Sequence, residues 1–328
     1  MNAPEPPEAL PSHRSRHAGA GAGFLMAATS MCTVQLGSAL TVPLFGQLGA
    51  LGTAGLRLGW AGLILLVAIR PRPRDFSSRD LLACMVLGLV TAGMMVFFMQ
   101  AIARLPLGTA SALEFLGPLT VSLFGPRKGR LVWAAAAATG VVLLTEPWHG
   151  GADLVGVGSA LLAAGCWAAY ILLTQRVGDR VTGLRGLAVS MPVAAVVGLA
   201  IAAPGLAERL TWSPLWTMLA LAVLSPVIPF ALEFLALRRL TTSAFGTLMS
   251  LEPAIALMVG LLVLGQRPGA AATLGLVLVV VASVGATRAG VRPAASSQEA
   301  PACRYETDPE PAPLDQDRAA VCQGGRPL

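Results

Sequence analysis

Four charged residues fall inside stretches otherwise too apolar to hold them cheaply. Glu114 sits in TASALEFLGPLTVSL, residues 109–123, with only Ser and Thr for polar company. Glu252 lies in LMSLEPAI, Glu233 in FALEFLALRR, and Arg57 interrupts AGLRLGWAG. In such settings a carboxylate exchanges a proton or holds a ligand's ammonium group, and a guanidinium meets a ligand's carboxylate. Each has a structural alternative. Glu114 can bond a Ser or Thr of a neighbouring helix, Glu233 can pair with Arg238 and Arg239, and Arg57 can snorkel to an interface. Gln35, Trp167 and Tyr170 complete the set of substrate or coupling-ion candidates, with packing roles equally open.

Prolines stand beside two of the carboxylates. Pro118 has no N–H to give the carbonyl of Glu114 one turn earlier, and Pro253 likewise frees the carbonyl of Met249. Gly117 and Gly246 add backbone freedom nearby, so these four are the helix-break candidates. Freed backbone deep in a membrane survives only where protein or a watery cavity satisfies it. Carboxylate and breaker together therefore predict a polar cavity near the midplane.

The elements that must position these residues read as membrane helices. Of 328 residues, 55% are hydrophobic and 12% charged, where a soluble domain has about 25% charged. The mean hydropathy is +0.70. A span needs about 20 apolar residues to cross roughly 30 Å of hydrocarbon. Ten candidates meet or approach that length: Ala22–Leu44, Thr53–Ile69, Leu81–Met99, Leu105–Phe124, Leu131–Leu144, Leu154–Leu173, Leu187–Ala203, Trp216–Leu237, Phe245–Leu264 and Gly269–Ala286. The first reads as a transmembrane helix rather than a signal peptide, because nine more follow. The Pro- and Ala-rich residues 1–21 and the polar residues 289–328 read as disordered tails.

Charge placement orients the chain. Arg70, Arg72, Arg74 and Arg79 fall in one set of connections with Arg127, Lys128, Arg130, Arg176, Arg180, Arg185, Arg238, Arg239, Arg288 and Arg292. The other set holds only Arg104, Arg209 and Arg267. The positive-inside rule then puts both termini in the cytoplasm, with Trp148, Trp212 and Trp216 at outer ends. The net charge of +6 forms no stripe or aromatic-interleaved patch, so no nucleic-acid partner is expected. Cys32, Cys84, Cys166, Cys303 and Cys322 show no CxxC or ligand spacing, and His13, His17 and His149 lie in the tail or an outer loop. With no Walker, HExxH or GxSxG motif, and no aspartate-rich prenyl-diphosphate motif, neither catalysis nor a metal or other cofactor is expected.

Residues 101–125 overlie residues 236–260 without gaps, a shift of 135, with identities that include Arg104/Arg239 and Pro118/Pro253. Five spans per half is an odd number, so the halves, 22–145 and 154–288, must be inverted in the membrane. The expected fold is an all-α integral membrane protein of ten transmembrane helices in two inverted five-helix repeats. Such repeats build transporters around a midplane site.

The blocks TASALEFLGPLTVSLF, GCWAAYILLTQRVG and FGTLMSLEPAIALMVGLLVLGQ resemble the EamA-type exporters of the drug/metabolite transporter superfamily. More narrowly they are similar to its threonine/homoserine exporter subgroup. The resemblance spans about residues 22–288. It implies export of amino acids such as threonine or homoserine across the cytoplasmic membrane by alternating access, with protons as a candidate coupling ion and the homo-oligomeric state open. By motif it carries Glu114, Glu233 and Glu252 into the functional set. Gln266 departs from the glutamate found in many members, which puts any coupling or gating role there in question. A drug or other metabolite exporter of the superfamily and a non-transporting receptor or scaffold are the alternatives.

Cysteines substituted singly at Ser78 and Ser213, in a background without native cysteines, test the topology. Only the second is expected to react with an impermeant maleimide in intact cells. Equal labelling contradicts the ten-span arrangement.

Overall fold

Apolar runs without side-chain hydrogen-bonding partners in lipid must satisfy their own backbone, and helices do so within one segment. All regular structure among the described residues is accordingly helical. The computed structural model describes residues 13–72, 76–123, 130–146, 153–178, 185–206, 208–209, 211–237 and 248–289. Its elements are α1 (His13–Thr41), α2 (Phe45–Ile69), α3 (Ser78–Ile102), α4 (Leu107–Glu114), α5 (Leu116–Leu123) and α6 (Arg130–Thr145). The second part holds α7 (Leu154–Gly178), α8 (Arg185–Leu206), α9 (Trp212–Ala222), α10 (Ile228–Leu237), α11 (Glu252–Leu264) and α12 (Ala270–Ala289). By length and composition, 21–69, which takes in most of α1 and all of α2, together with α3, 154–174 of α7 and α8, is long and apolar enough to cross a membrane. Leu63, Val67, Leu131, Val155, Val196 and Leu262 are exposed, as lipid-facing side chains of a membrane-type helical protein would be.

Small residues set the packing. Lipid tails are as apolar as leucine, so membrane helices associate through close backbone approach rather than through a hydrophobic drive. On α2, a Cβ at Gly55 would stand 2.7 Å from Ala202 Cβ, and one at Gly62 would stand 2.7 Å from Ala195 Cβ, both on α8. Between α6 and α12 the contact is reciprocal: a Cβ at Gly140 would lie 2.7 Å from Gly275 O, and one at Gly275 would lie 2.6 Å from Gly140 O. Local signals fix several ends. Ser77 Oγ accepts the N–H of Asp80 at the start of α3 (3.2 Å), and Asp153 Oδ1 accepts that of Gly156 at the start of α7 (2.8 Å). That Gly156 bond, then the Arg104 guanidinium 3.2 Å away, hold the Asp153 carboxyl below the usual carboxylate range.

Several helix bounds differ from the hydropathy reading. The first helix begins at His13 rather than Ala22, and the second at Phe45 rather than Thr53, joined by a 3-10 turn over Val42–Leu44. Gly46, Gln47 and Gly49 lower the hydropathy there without preventing a helix, and the kink falls at Gly49, whose φ of 71° suits glycine. Span four is two helices meeting at Phe115. Span eight is divided between α9 and α10 by a π turn over Val223–Val227. Pro253 stands in the first turn of α11 rather than within it. Gly246, Arg238, Arg239 and most of both tails lie outside the described residues. Gly117 is a contact glycine: a Cβ there would collide with the Ala164 carbonyl oxygen of α7.

Gly140→Leu should therefore cost roughly 1–3 kcal/mol or more through overpacking. Size-exclusion profiles in detergent should show most of the folded protein lost. Gly158→Leu, at a site with nothing within 4 Å of an added Cβ, should keep a wild-type profile.

Candidate functional site

Three of the four candidate carboxylate and amide side chains meet between α1, α4 and α11. Gln35 on α1 is 1% exposed, and its Nε2 donates to Glu252 Oε1 on α11 at 3.1 Å. Glu252 is 6% exposed and occupies the first turn of α11, where the helix dipole favours a carboxylate. Glu114, 8% exposed, closes α4 and lies within electrostatic range of Glu252. Its side chain makes no hydrogen bond to a described residue. Gln35 Oε1 and Glu252 Oε2 are also buried without a partner among the described residues. Buried polar atoms of this kind are rare and call for a ligand, ion or water.

Glu233, on α10, joins the same electrostatic group through Glu252. Ser30 on α1 shares its one hydroxyl proton between Glu233 Oε1 (2.9 Å) and the carbonyl of Pro229 (3.3 Å). No ion pair reaches Glu114, Glu233 or Glu252 among the described residues, where the one salt bridge is Arg104–Asp153. Trp167 packs edge-to-face on Phe115 at the α4–α5 break, with ring centroids 5.6 Å apart and planes at 81°. Tyr170 lies against the cluster of Cys84, Leu87 and Val177.

Of the two readings open for Arg57, the structure removes one. The arginine does not snorkel: it lies midway along α2 and is 1% exposed. All its acceptors are neutral. Nε and Nη2 donate to the Ser225 carbonyl (3.3 and 3.0 Å), and Nη2 also to Ser225 Oγ (2.9 Å). Nη1 reaches Thr41 Oγ1 (3.4 Å) and Met99 Sδ (3.8 Å). The chain itself explains why that carbonyl is open. In a helix Ser225 would accept from the N–H four residues on, which is Pro229 and has none. Pro226 removes a second donor, and Ser225 adopts an extended φ/ψ of −158°, 112°. Gly37 lets α1 close on this break, since a Cβ there would stand 2.7 Å from Ser225 Cβ.

Ser30, Thr41, Ser225, Pro226 and Pro229 were therefore missed as site residues. The readable signal was SPVIP, two prolines three apart inside an apolar run. Gln266 also has a visible job: its Oε1 accepts the N–H of Leu107 at 2.9 Å, satisfying an open donor at the start of α4. A cavity of about 520 Å³ bordered by Ile69, Arg70, Pro71, Arg72 and Arg185 contains none of these groups. The chemistry lies in the buried acceptors, not there.

Chemically, unpartnered carboxylate and amide oxygens fit a cationic or protonated visitor. An ammonium group brings three N–H donors, and a proton on a carboxyl brings one.

Comparison with known proteins agrees with this setting. The EamA-like transporter family model matches residues 154–288. The threonine/homoserine exporter RhtA of Salmonella typhimurium is 39% identical over 270 residues, covering 80% of this chain and 90% of that protein. RhtA of Escherichia coli is 38% identical over 264 residues, covering 79% and 88%. A solved crystal structure superposes with a TM-score of 0.55 at 17% identity, over 82% of this chain and 99% of the other, a likeness of fold alone.

Glu252→Leu should strand the buried Gln35 amide and cost about 1–3 kcal/mol. Glu252→Gln keeps an acceptor for it and should unfold close to wild type. Thermal unfolding in detergent checks the pair, and equal melting of both variants would contradict the contact.

The chain belongs to the EamA-like transporter family.

Proposed function

We propose that this member of the EamA-like transporter family is a secondary-active exporter of small amino acids, threonine and homoserine foremost, in the cytoplasmic membrane. The kinship with threonine/homoserine exporters over nearly their whole length supports the substrate class. The observation that carries the site is the buried Gln35–Glu252 pair, with an oxygen on each side that has no hydrogen-bond partner among the described residues and no ion pair to Glu114 or Glu252 among them. Glu114 and Glu252 hold the substrate's ammonium group or the coupling proton, and Glu233 with Ser30 extends the polar path along α1. Trp167 and Tyr170 border it.

The scaffold is ten spans in two inverted repeats, 22–145 and 154–288, with tails 1–21 and 289–328 in the cytoplasm. Support comes from which helices touch. Counting α4–α5 as the fourth span and α9–α10 as the eighth, several of the most extensive contacts have a counterpart five spans on. Helix α1 packs on α10 as α7 does on α3, and α2 on α9 as α8 does on α3. Helices α2 and α8, α4 and α11, and α6 and α12 are the self-paired mates. Gly140 and Gly275, in reciprocal contact, differ by the same 135 positions as the sequence repeat. Alternating access then proceeds around the buried acceptors.

Efflux of labelled L-threonine and L-homoserine from proteoliposomes, beside a panel of toxic amines and other metabolites, tests the reading. Amino-acid efflux above protein-free vesicles is expected. Export confined to the other compounds would move the protein elsewhere in the superfamily, and no flux at all would favour a receptor or scaffold. If Glu114 exchanges the proton, Glu114→Gln should abolish proton-driven net transport and spare counterflow. If it holds the ammonium group, the same change should weaken both, because a neutral amide loses the charge-assisted contact. Wild-type flux and affinity in the variant would remove Glu114 from the mechanism.

A further inference from the structure

We infer that Arg57 is the carboxylate-recognising group of the transport site, held in reserve by the broken span between α9 and α10. The inference rests on the amino-acid exporter reading and narrows it to substrates that carry both an ammonium and a carboxylate.

The observations are geometric. A guanidinium has five N–H donors, and Arg57 directs all five at neutral acceptors: the Ser225 carbonyl twice, Ser225 Oγ, Thr41 Oγ1 and Met99 Sδ. Its hydrogen bonds are filled and its charge is not. Leaving a buried cation unneutralised is costly, and a neutral donor would hold the same carbonyl without that cost. The charge has a use if an anion visits. A carboxylate takes two parallel N–H bonds from Arg and makes them stronger than a carbonyl can. The weakest contacts to give up are the long ones, to Met99 Sδ at 3.8 Å and Thr41 Oγ1 at 3.4 Å.

The position suits a shared ligand. Nη2 lies 3.7 Å from where a Cβ on Gly37 would stand, two residues from Gln35, or about 3 Å of rise along α1. The buried cation and the buried acceptors are thus level on one helix but on different faces of it. An α-amino acid carries its two charges on one carbon, so engaging both draws the guanidinium off Ser225 toward the carboxylates. That releases a carbonyl whose helical donor would be a proline. The break at Ser225–Pro229 then has to find a new partner or move. Binding of a carboxylate is in this way coupled to the element best placed to bend, whereas a plain amine leaves Arg57 closed on Ser225.

L-Threonine and L-threoninol, the same molecule with the carboxylate replaced by a hydroxymethyl group, separate the two ends. Their binding to purified protein in nanodiscs is measured by calorimetry. Wild type should prefer threonine by about tenfold or more, the range of one charge-assisted contact. In Arg57→Gln that preference should collapse toward equality through loss of threonine affinity, and Arg57→Lys should restore part of it. A uniform loss for both ligands, with their ratio kept, would make Arg57 a structural pin and overturn the inference. Should Arg57→Gln fail to fold, Ser225→Cys in the cysteine-free background reports directly. Threonine should speed its alkylation by a permeant maleimide and threoninol should not, and equal rates with both overturn the inference. Binding of threoninol as tight as threonine in wild type overturns it while leaving an amine-recognising exporter intact. Binding of neither ligand overturns the exporter reading along with it.

Discussion

Inside hydrocarbon no water is available to satisfy a stray carbonyl, and that single constraint organises this molecule. Each proline in the interior removes one donor, and the freed acceptor has to be met by a side chain, a ligand or a break. At Ser225 the solution is a buried guanidinium. Beside that break the Ser30 hydroxyl reaches both the Pro229 carbonyl and Glu233. At Glu114 the chain opens the helix at Phe115 instead. The polar interior is the place where backbone breaks concentrate, and the charged side chains follow the breaks.

Part of this was legible in the sequence. Glu114 and Pro118 are four apart, so the freed carbonyl and the carboxylate announce each other within one helical turn. The pair Gln35–Glu252 was legible only as two candidates, since 217 residues separate them and no local pattern records the contact. The snorkelling alternative for Arg57 arose for a definable reason. Hydropathy averaged over Gly46, Gln47 and Gly49 pushed the start of its helix to Thr53 and left the arginine near an end, whereas α2 begins at Phe45. Gly117 read as a source of freedom because it precedes Pro118, but the backbone of α7 lies against it. Packing partners of that sort have no signature in one sequence. SPVIP had one, and its consequence needed only the rule that a proline four residues on cannot donate.

Opposite charges are kept apart at rest. Arg57 has neutral partners, Glu114, Glu233 and Glu252 have no basic partner among the described residues, and Gln35, bonded to Glu252, lies on one face of α1 with Gly37 and Thr41, beside Arg57, on another. A transporter gains from this arrangement. Groups already locked in ion pairs would have little to offer a zwitterion, while separated and desolvated charges offer a strong differential contact once a ligand bridges them. Population shifts need such a difference between states, because a ligand that meets both states equally moves neither. The close helix contacts through Gly55, Gly62, Gly140 and Gly275 supply the rigid bodies against which the broken spans can move.

A structure of the protein with L-threonine bound, by electron cryo-microscopy in nanodiscs, tests the central claim most directly. If the buried charges divide the substrate between them, its carboxylate lies within hydrogen-bond distance of Arg57, now withdrawn from the Ser225 carbonyl. Its ammonium group then lies among Gln35, Glu252 and Glu114. A bound amino acid with Arg57 still closed on Ser225, or one lodged away from these residues, would contradict it.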